Sequence, residues 1–289
     1  MTRRPLVYLL YIVVLAAVLV LWKFPYARLE PGIEQLLSRH LGVAVDLHDI
    51  SLGFPLVLKA GRCTVWQEGS RPQLLWETTG VSLRPHLLPL FRGRLEVGFR
   101  GRAYEGTLEG RLNVGPVYAP DNYRLSLAWT DIMLEPNQAL TSLFGRQLSG
   151  KLTGQLHLEG APGDWLNSRG STEVALQEGT CSVVFPYLVT DTLRGLEIRA
   201  EATVHDRKLQ ISRCVFRADG LRGSLQGTVK LRQDLRRSRM DLRGQAQVDA
   251  ALINLATTTG NAARALFQRG KSIPFHLRGT LKRPRVQIF

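Results

Sequence analysis

From Arg94 onward the chain alternates apolar and polar side chains almost residue by residue. Leu148–Gly160 (LSGKLTGQLHLEG) carries the pattern most plainly. Leu148, Gly150, Leu152, Gly154, Leu156 and Leu158 hold the even positions, and Ser149, Lys151, Thr153, Gln155, His157 and Glu159 the odd ones. Strand side chains point alternately to opposite faces, so this segment is predicted to be a ribbon with one oily side and one wet side. Leu95, Val97 and Phe99 alternate in the same way with Glu96, Gly98 and Arg100. After Gly101 the pattern resumes at Tyr104, Gly106, Leu108, Gly110 and Leu112, which predicts an antiparallel hairpin.

The C-terminal half is the most regular. Predicted ribbons run over residues 196–204, 209–216, 221–231 and 240–248, with Asp206-Arg207 as a turn. Residues 275–281 and 285–289 close a meander of hairpins. Shorter strands are predicted at 43–47, 50–58, 63–67, 81–84, 123–129, 171–176 and 180–185, with Gly53-Phe54-Pro55 as a bend or bulge. Residues 86–91 (HLLPLF) form an apolar knot, read as a bulged edge or a single helical turn because Pro89 forbids a long element. Helical spacing is confined to residues 31–41, 136–144 and 250–268, the last capped by Asp249 and weakened by Thr257, Thr258, Thr259 and Gly260.

About a dozen amphipathic strands need another layer against their oily face, and three short helices cannot supply it. The expected fold is therefore mainly β. One N-terminal transmembrane helix is followed by a long curved antiparallel sheet, as a groove, half-barrel or sandwich, with a few short helices. Many oily-face positions are small (Gly150, Gly154, Ala200, Ala202, Gly223, Gly227, Gly244 and Ala246), which permits sharp curvature or leaves empty width inside. Two outcomes stay open. Either the halves interdigitate as a dry core, or they line an apolar groove for acyl chains at Leu152, Leu156, Leu158, Leu196, Ile198, Leu225, Val229, Leu242 and Val248.

The N-terminus assigns a compartment. Residues 5–22 (PLVYLLYIVVLAAVLVLW) form an uncharged apolar run. As a helix it would span about 27 Å, close to the hydrocarbon thickness of a bilayer. Leu6, Leu9, Leu10, Ile12, Val13, Leu15, Val18, Leu19, Leu21 and Trp22 are the anchor residues. Arg3 and Arg4 favour a cytoplasmic N-terminus, while Trp22, Phe24 and Tyr26 suit the far interface. The run exceeds an ordinary signal-peptide core and no A-x-A site follows it, so an uncleaved anchor is expected. The chain then divides into a cytoplasmic tip and anchor (1–27), a linker helix and first strand (28–48), and a β-domain (49–289). In a diderm bacterium that domain is periplasmic.

Lys and Arg outnumber Asp and Glu by 38 to 24, a net charge of +14, which favours polyanions. Across the membrane these are anionic headgroups or lipopolysaccharide, and nucleic acid is excluded as a partner. The densest basic run is residues 232–243 (RQDLRRSRMDLR). Its Arg236, Arg237 and Arg239 read either as a solvated hairpin tip or as a contact for an anionic headgroup or acidic partner. Cys63, Cys181 and Cys214 fit no metal or redox spacing; they are one disulfide with a spare thiol, or small buried hydrophobes. The six histidines are scattered, and no zinc, P-loop, dinucleotide or nucleophile-elbow motif is present. His157 and His205 are expected on wet faces, and Asp46, His48 and Asp49 in a turn. No catalytic residue, cofactor or metal is assigned.

Residues 81–112, opening with VSLRPHLLPLFRGRLEV, resemble the repeating unit of AsmA-like envelope proteins: a strand, a Pro/Leu-rich knot and Gly-punctuated strands. The ending IPFHLRGTLKRPRVQIF (273–289) is similar to the closing strands of that group, and DISLGFPLVLKAGRCTVW (49–66) resembles the start of its first unit. Size and layout look most like the type II secretion system protein N family in its single-anchor form. The resemblance implies an inner-membrane protein with a periplasmic β-domain that serves secretion-system subunits. The larger AsmA-like relatives are thought to carry phospholipid along a β-groove, so lipid binding is the alternative it implies.

Overall fold

The computed structural model describes residues 44–53, 57–67, 73–116, 121–135, 147–161, 164–182, 191–232, 235–249, 272–281 and 283–288. The predicted anchor (5–22) and the predicted helices at 31–41, 136–144 and 250–268 lie outside the described residues. The described chain is almost entirely strand: Ala44–His48 (β1), Ser51–Gly53 (β2), Val57–Gln67 (β3), Gln73–His86 (β4), Leu95–Ala103 (β5), Gly106–Gly115 (β6), Asn122–Met133 (β7) and Leu148–Gly160 (β8) come first. Arg169–Ser182 (β9), Thr192–His205 (β10), Lys208–Ala218 (β11), Leu221–Lys230 (β12), Arg239–Val248 (β13), Ile273–Thr280 (β14) and Arg283–Ile288 (β15) complete it. All pairings are antiparallel in one sheet ordered β1-β3-β4 and then consecutively to β15, with β2 beside β3. β1 and β15 end the sheet and do not pair with each other, so it is open.

The knot at 86–91 contains a single helical turn, Leu87–Leu90 (α1), which leaves Leu88 and Phe91 largely exposed. Two tight hairpins are made by paired left-handed residues, Tyr104-Glu105 (φ 47° and 68°) and Asp206-Arg207 (φ 46° and 59°). That backbone twist matches the twist of the flanking strands. The first hairpin therefore turns at Tyr104, not beside Gly101, which pairs with Leu108 inside the ladder.

Several expected breaks are bulges within longer strands. The segments predicted at 171–176 and 180–185 belong to one strand, β9, interrupted only at Gln177-Glu178. The strand predicted at 50–58 is instead split: Ser51–Gly53 forms β2, which pairs back on β3, and residues 57–58 open β3. β3 then runs on through Gly61 to the segment predicted at 63–67, while β4 and β7 run longer than their predicted cores. Besides one at Leu75 in β4, register shifts fall at Thr79-Gly80, Thr130-Asp131, Gln177-Glu178, Arg194-Gly195 and Ser212-Arg213. At each of these pairs, two consecutive residues are exposed, after which the alternation resumes in the opposite phase. An extra residue on one strand does this by kinking it without ending the pairing. Gly80, Asp131, Glu178 and Gly195 hold the left-handed conformation that four of these bulges use (φ 51–62°).

Among the described residues, buried apolar side chains gather in three separate clusters. The first lies around Leu134, Leu176, Leu193 and Leu196, the second around Leu47 and Ala60, and the third around Val229, Met240 and Leu242. At the opposite ends of the strands from the first cluster, the turns are laced into a rim. Arg207 N–H donates to Leu166 O (2.9 Å), Leu231 N–H to Arg207 O (2.7 Å) and Leu281 N–H to Ser238 O (3.1 Å). Ser168 and Ser238 are fully buried there, each just after a 3-10 turn (Trp165–Asn167 and Leu235–Arg237). Ser168 Oγ is 2.6 Å from Tyr123 Oη, and Ser238 Oγ accepts the Arg232 N–H at 3.1 Å.

The small oily-face residues do not all leave empty width. Four glycines are covered by an aromatic ring from the residue directly opposite: Gly110 by Phe99, Gly154 by Trp129, Gly223 by Phe216 and Gly244 by Phe275. The rings of Phe216 and Phe275 reach inward from either side of β12 and β13 and meet edge to face at 6.5 Å. Laying a ring on a glycine recovers apolar contact that its missing side chain would otherwise forfeit. A β-carbon at Gly154 would lie 2.6 Å from Trp129 Cζ2 and press on the Glu173 carbonyl. Gly154→Ala is therefore expected to destabilise the fold by about 1–3 kcal/mol. Urea unfolding followed by tryptophan fluorescence measures this, and an unchanged midpoint would contradict the packing.

Candidate functional site: two faces of one sheet

Leu152, Leu156, Leu158, Leu196, Ile198, Leu225, Val229, Leu242 and Val248 all fall on one face. The register links them: Leu152 opposes Leu176, which opposes Ile198, which opposes Phe216. Gly223, opposite Phe216, continues that face along β12 to Leu225 and Val229, and Leu242 opposes Gly227. Leu196, Val229 and Leu242 are buried. Leu152, Leu156, Leu158, Ile198, Leu225 and Val248 are only partly so. Leu95, Val97, Phe99, Leu108, Leu112, Leu125 and Leu127 extend the partly exposed stretch across β5 to β7. Trp129 adds an indole N–H that is buried without an acceptor, a cost of about 1–3 kcal/mol.

The opposite face is polar and carries two clefts. The smaller, about 490 Å³, crosses β4 to β8 and is lined by Arg84, His86, Arg100, Glu109, Arg111 and His157 among others. Its charges are mostly matched. Arg100 Nε lies 2.8 Å from Glu109 Oε1, and Arg111 Nε 3.4 Å from Glu96 Oε1. His157 is exposed beside Ser126 Oγ at 3.2 Å, and His205 pairs with Asp206 at 2.7 Å, as their wet-face positions imply.

The larger cleft, about 1050 Å³, crosses β11 to β15 and is lined by Arg213, Gln226, Arg243, Gln245, His276 and Arg278 among others. His276 anchors it. Its side chain is 5% exposed, and Nε2 sits 2.5 Å from the Asp241 carboxylate and 3.2 Å from Arg278 Nε. One ring nitrogen cannot donate to the carboxylate and accept from the guanidinium at once. The shorter separation requires a proton between nitrogen and oxygen, so the ring donates to Asp241 and Arg278 stands alongside as a charge. That hydrogen bond holds the Asp241 carboxyl below its usual range, helped by the positive charges of His276, Arg278 and Arg243.

Of the three predicted basic residues, Arg237 ends the 3-10 turn and Arg239 opens β13; both are exposed. Arg236 shares the turn. Arg237 and Arg239 sit on the rim and do not line the larger cleft. The cleft residues Arg213, Arg243 and His276 were individually visible as wet-face positions, but only cross-strand register brings them together. A second signal was overlooked: D-x-x-x-S-R recurs at Asp164 and Asp234 and marks both rim turns with a buried serine.

Asp46 and His48 lie in β1 rather than in a turn, paired with Thr64 and Arg62. Asp46 accepts the Trp66 indole N–H at 2.7 Å, and only Asp49 is in a left-handed bend. Among the described residues no His, Cys, Asp and Glu cluster is arranged to hold a metal. Cys63, Cys181 and Cys214 form no disulfide with one another, and burial pushes the Cys63 and Cys214 thiols up. No protein-family model, curated protein or solved structure matches the chain.

The Asp241–His276 contact makes a pH prediction. The carboxyl value is lowered on folding, so the contact stabilises the folded state above the unfolded value of roughly 4. That contribution disappears as pH falls through the lower folded value. Asp241→Asn should therefore flatten the acid limb of the stability curve between about pH 5 and pH 2. Urea midpoints across that range measure it; parallel curves for the two proteins would show that the carboxylate is not engaged.

Proposed function

We propose that the chain is a non-enzymatic component of type II protein secretion, anchored in the bacterial inner membrane by residues 5–22, with its sheet in the periplasm. The observation that supports this reading is the single open meander of strands punctuated by glycine and one Leu/Pro helical turn. That layout agrees with the AsmA-like resemblance of residues 81–112 and 273–289. The curved form of the sheet belongs to the same proposal. Bulges at five places bend individual strands, and bent strands turn a long sheet into a trough. Other secretion subunits would meet the exposed rim, where Arg237 and Arg239 offer an anionic contact.

A second reading, an AsmA-like protein that holds phospholipid acyl chains, is favoured by a specific observation. The oily face stays partly exposed over most of β5 to β9, whereas a dry core would bury these leucines. Transfer of acyl chains onto such a face gains about 25 cal/mol for each Å² of apolar surface removed from water.

Deleting the gene should stop or sharply reduce release of type II substrates into the medium, with restoration by the full chain. Unaltered release would reject the secretion reading. Alkaline phosphatase fused after residue 30 should be active; an inactive fusion with a fluorescent cytoplasmic counterpart would reverse the topology. For the lipid reading, native mass spectrometry of the full chain from detergent should show bound phospholipid that is lost when Leu152, Leu156 and Leu225 are changed to Gln. A lipid-free protein of unchanged stability would remove that reading.

A further inference from the structure

We propose that the larger polar-face cleft is a binding site for a phosphate group, read by the guanidinium groups of Arg213, Arg243 and Arg278. It lies on the opposite face from the apolar side chains, so it goes beyond the readings above and does not depend on lipid occupying the other side.

The two clefts differ in charge balance. In the smaller one the carboxylates of Glu96 and Glu109 pair with the arginines. In the larger one the lining contains three arginines and no carboxylate. Arg243 stands between two cross-strand neighbours without a carboxylate, Gln226 and His276. Glu201 opposes Arg213 in the register but makes no ion pair with it, and Arg278 faces Asp241 and Arg285. Asp241 is the nearby counter-charge, and its Oδ1 is already engaged by His276. Among the described residues the three guanidinium groups thus outnumber the carboxylates beside the cleft, which leaves it net positive.

The other lining groups suit an oxyanion. Ser224 supplies a hydroxyl donor and Gln226 an amide, whereas the Ser212 hydroxyl already donates to Glu201 O at 3.0 Å. Guanidinium groups bind phosphate oxygens through paired N–H donors, which gives both strength and orientation. The buried His276 ring lines the cleft and is held by Asp241, with Arg278 Nε 3.2 Å away. A volume of about 1050 Å³ exceeds what one phosphate fills, so the group belongs to a larger molecule, either a lipid headgroup or a soluble phosphate ester. The common chemistry is a tetrahedral dianion or diester.

The test uses the full chain in a neutral detergent, titrated with inorganic phosphate and, separately, with mixed micelles containing phosphatidylglycerol or phosphatidylcholine. Isothermal titration at low salt reads the affinity. Saturable binding of free phosphate assigns a soluble ester, and binding of phosphatidylglycerol micelles alone assigns a headgroup; either supports the site. Removing two charge-assisted contacts with Arg243→Gln and Arg278→Gln should weaken binding at least about tenfold. Arg222→Gln, an exposed same-face control outside the cleft, should leave it unchanged. Arg243→Lys, which keeps the charge and loses the paired donors, should give an intermediate loss. Absence of saturable binding to every probe overturns the proposal. So does an equal loss in the Arg222 control, which would reduce the effect to bulk charge.

Discussion

Every long strand of this protein hydrogen-bonds only to strands next to it in the sequence, apart from the short detour at β2. Backbone donors and acceptors are thereby satisfied along the whole ladder without a second layer. The price is borne by side chains. A single sheet has two faces, and alternation loads most of the apolar residues onto one of them. The chain buries that face only in patches, at Leu134 to Leu196, at Leu47 and Ala60, and at Val229 to Leu242. Neighbour-only pairing also means that most native contacts close short loops, which favours formation hairpin by hairpin.

Two local devices keep such a long sheet in order. Bulges reset the alternation whenever a strand would otherwise rotate its leucines to the wet side. Ring-over-glycine pairs lock register, because the ring of Trp129 or Phe275 fits only where the opposite residue has no side chain. The ends need different treatment. β15 exposes Val286 and Ile288 (44% and 40%) at an edge that could template another strand. Pro284 removes a donor there and Arg285 adds charge, both of which discourage uncontrolled pairing.

The two faces lend themselves to different chemistry. The oily one offers contact without direction, suited to acyl chains or to a covering element. The polar one offers directional charge, balanced over β4 to β8 and left positive over β11 to β15. Ion pairs as exposed as Arg124–Glu159 contribute only about 0–1 kcal/mol each, so their pattern speaks of recognition and solubility more than of stability. The Asp241–His276 contact differs because its ring is buried.

Much of this was legible before any coordinates. Period-two alternation in β8, β12 and β13 named the strands, their oily residues and the hairpin order, because strand geometry places side chains by parity alone. Asp206-Arg207 was readable as a turn for the same local reason. The bulges at Gln177-Glu178 and Thr79-Gly80 were not, since two polar residues in succession look the same in a turn and in a kinked continuous strand. Nor could the sequence say whether Gly154 was empty space or the seat of Trp129, or that Arg213, Arg243 and Arg278 converge. Those facts depend on which residue of one strand lies opposite which residue of the next, and that register is decided by hydrogen bonds between two strands, which the pattern of neither strand alone encodes. Local periodicity thus determined the faces; only pairing across the sheet decided what each face brings together.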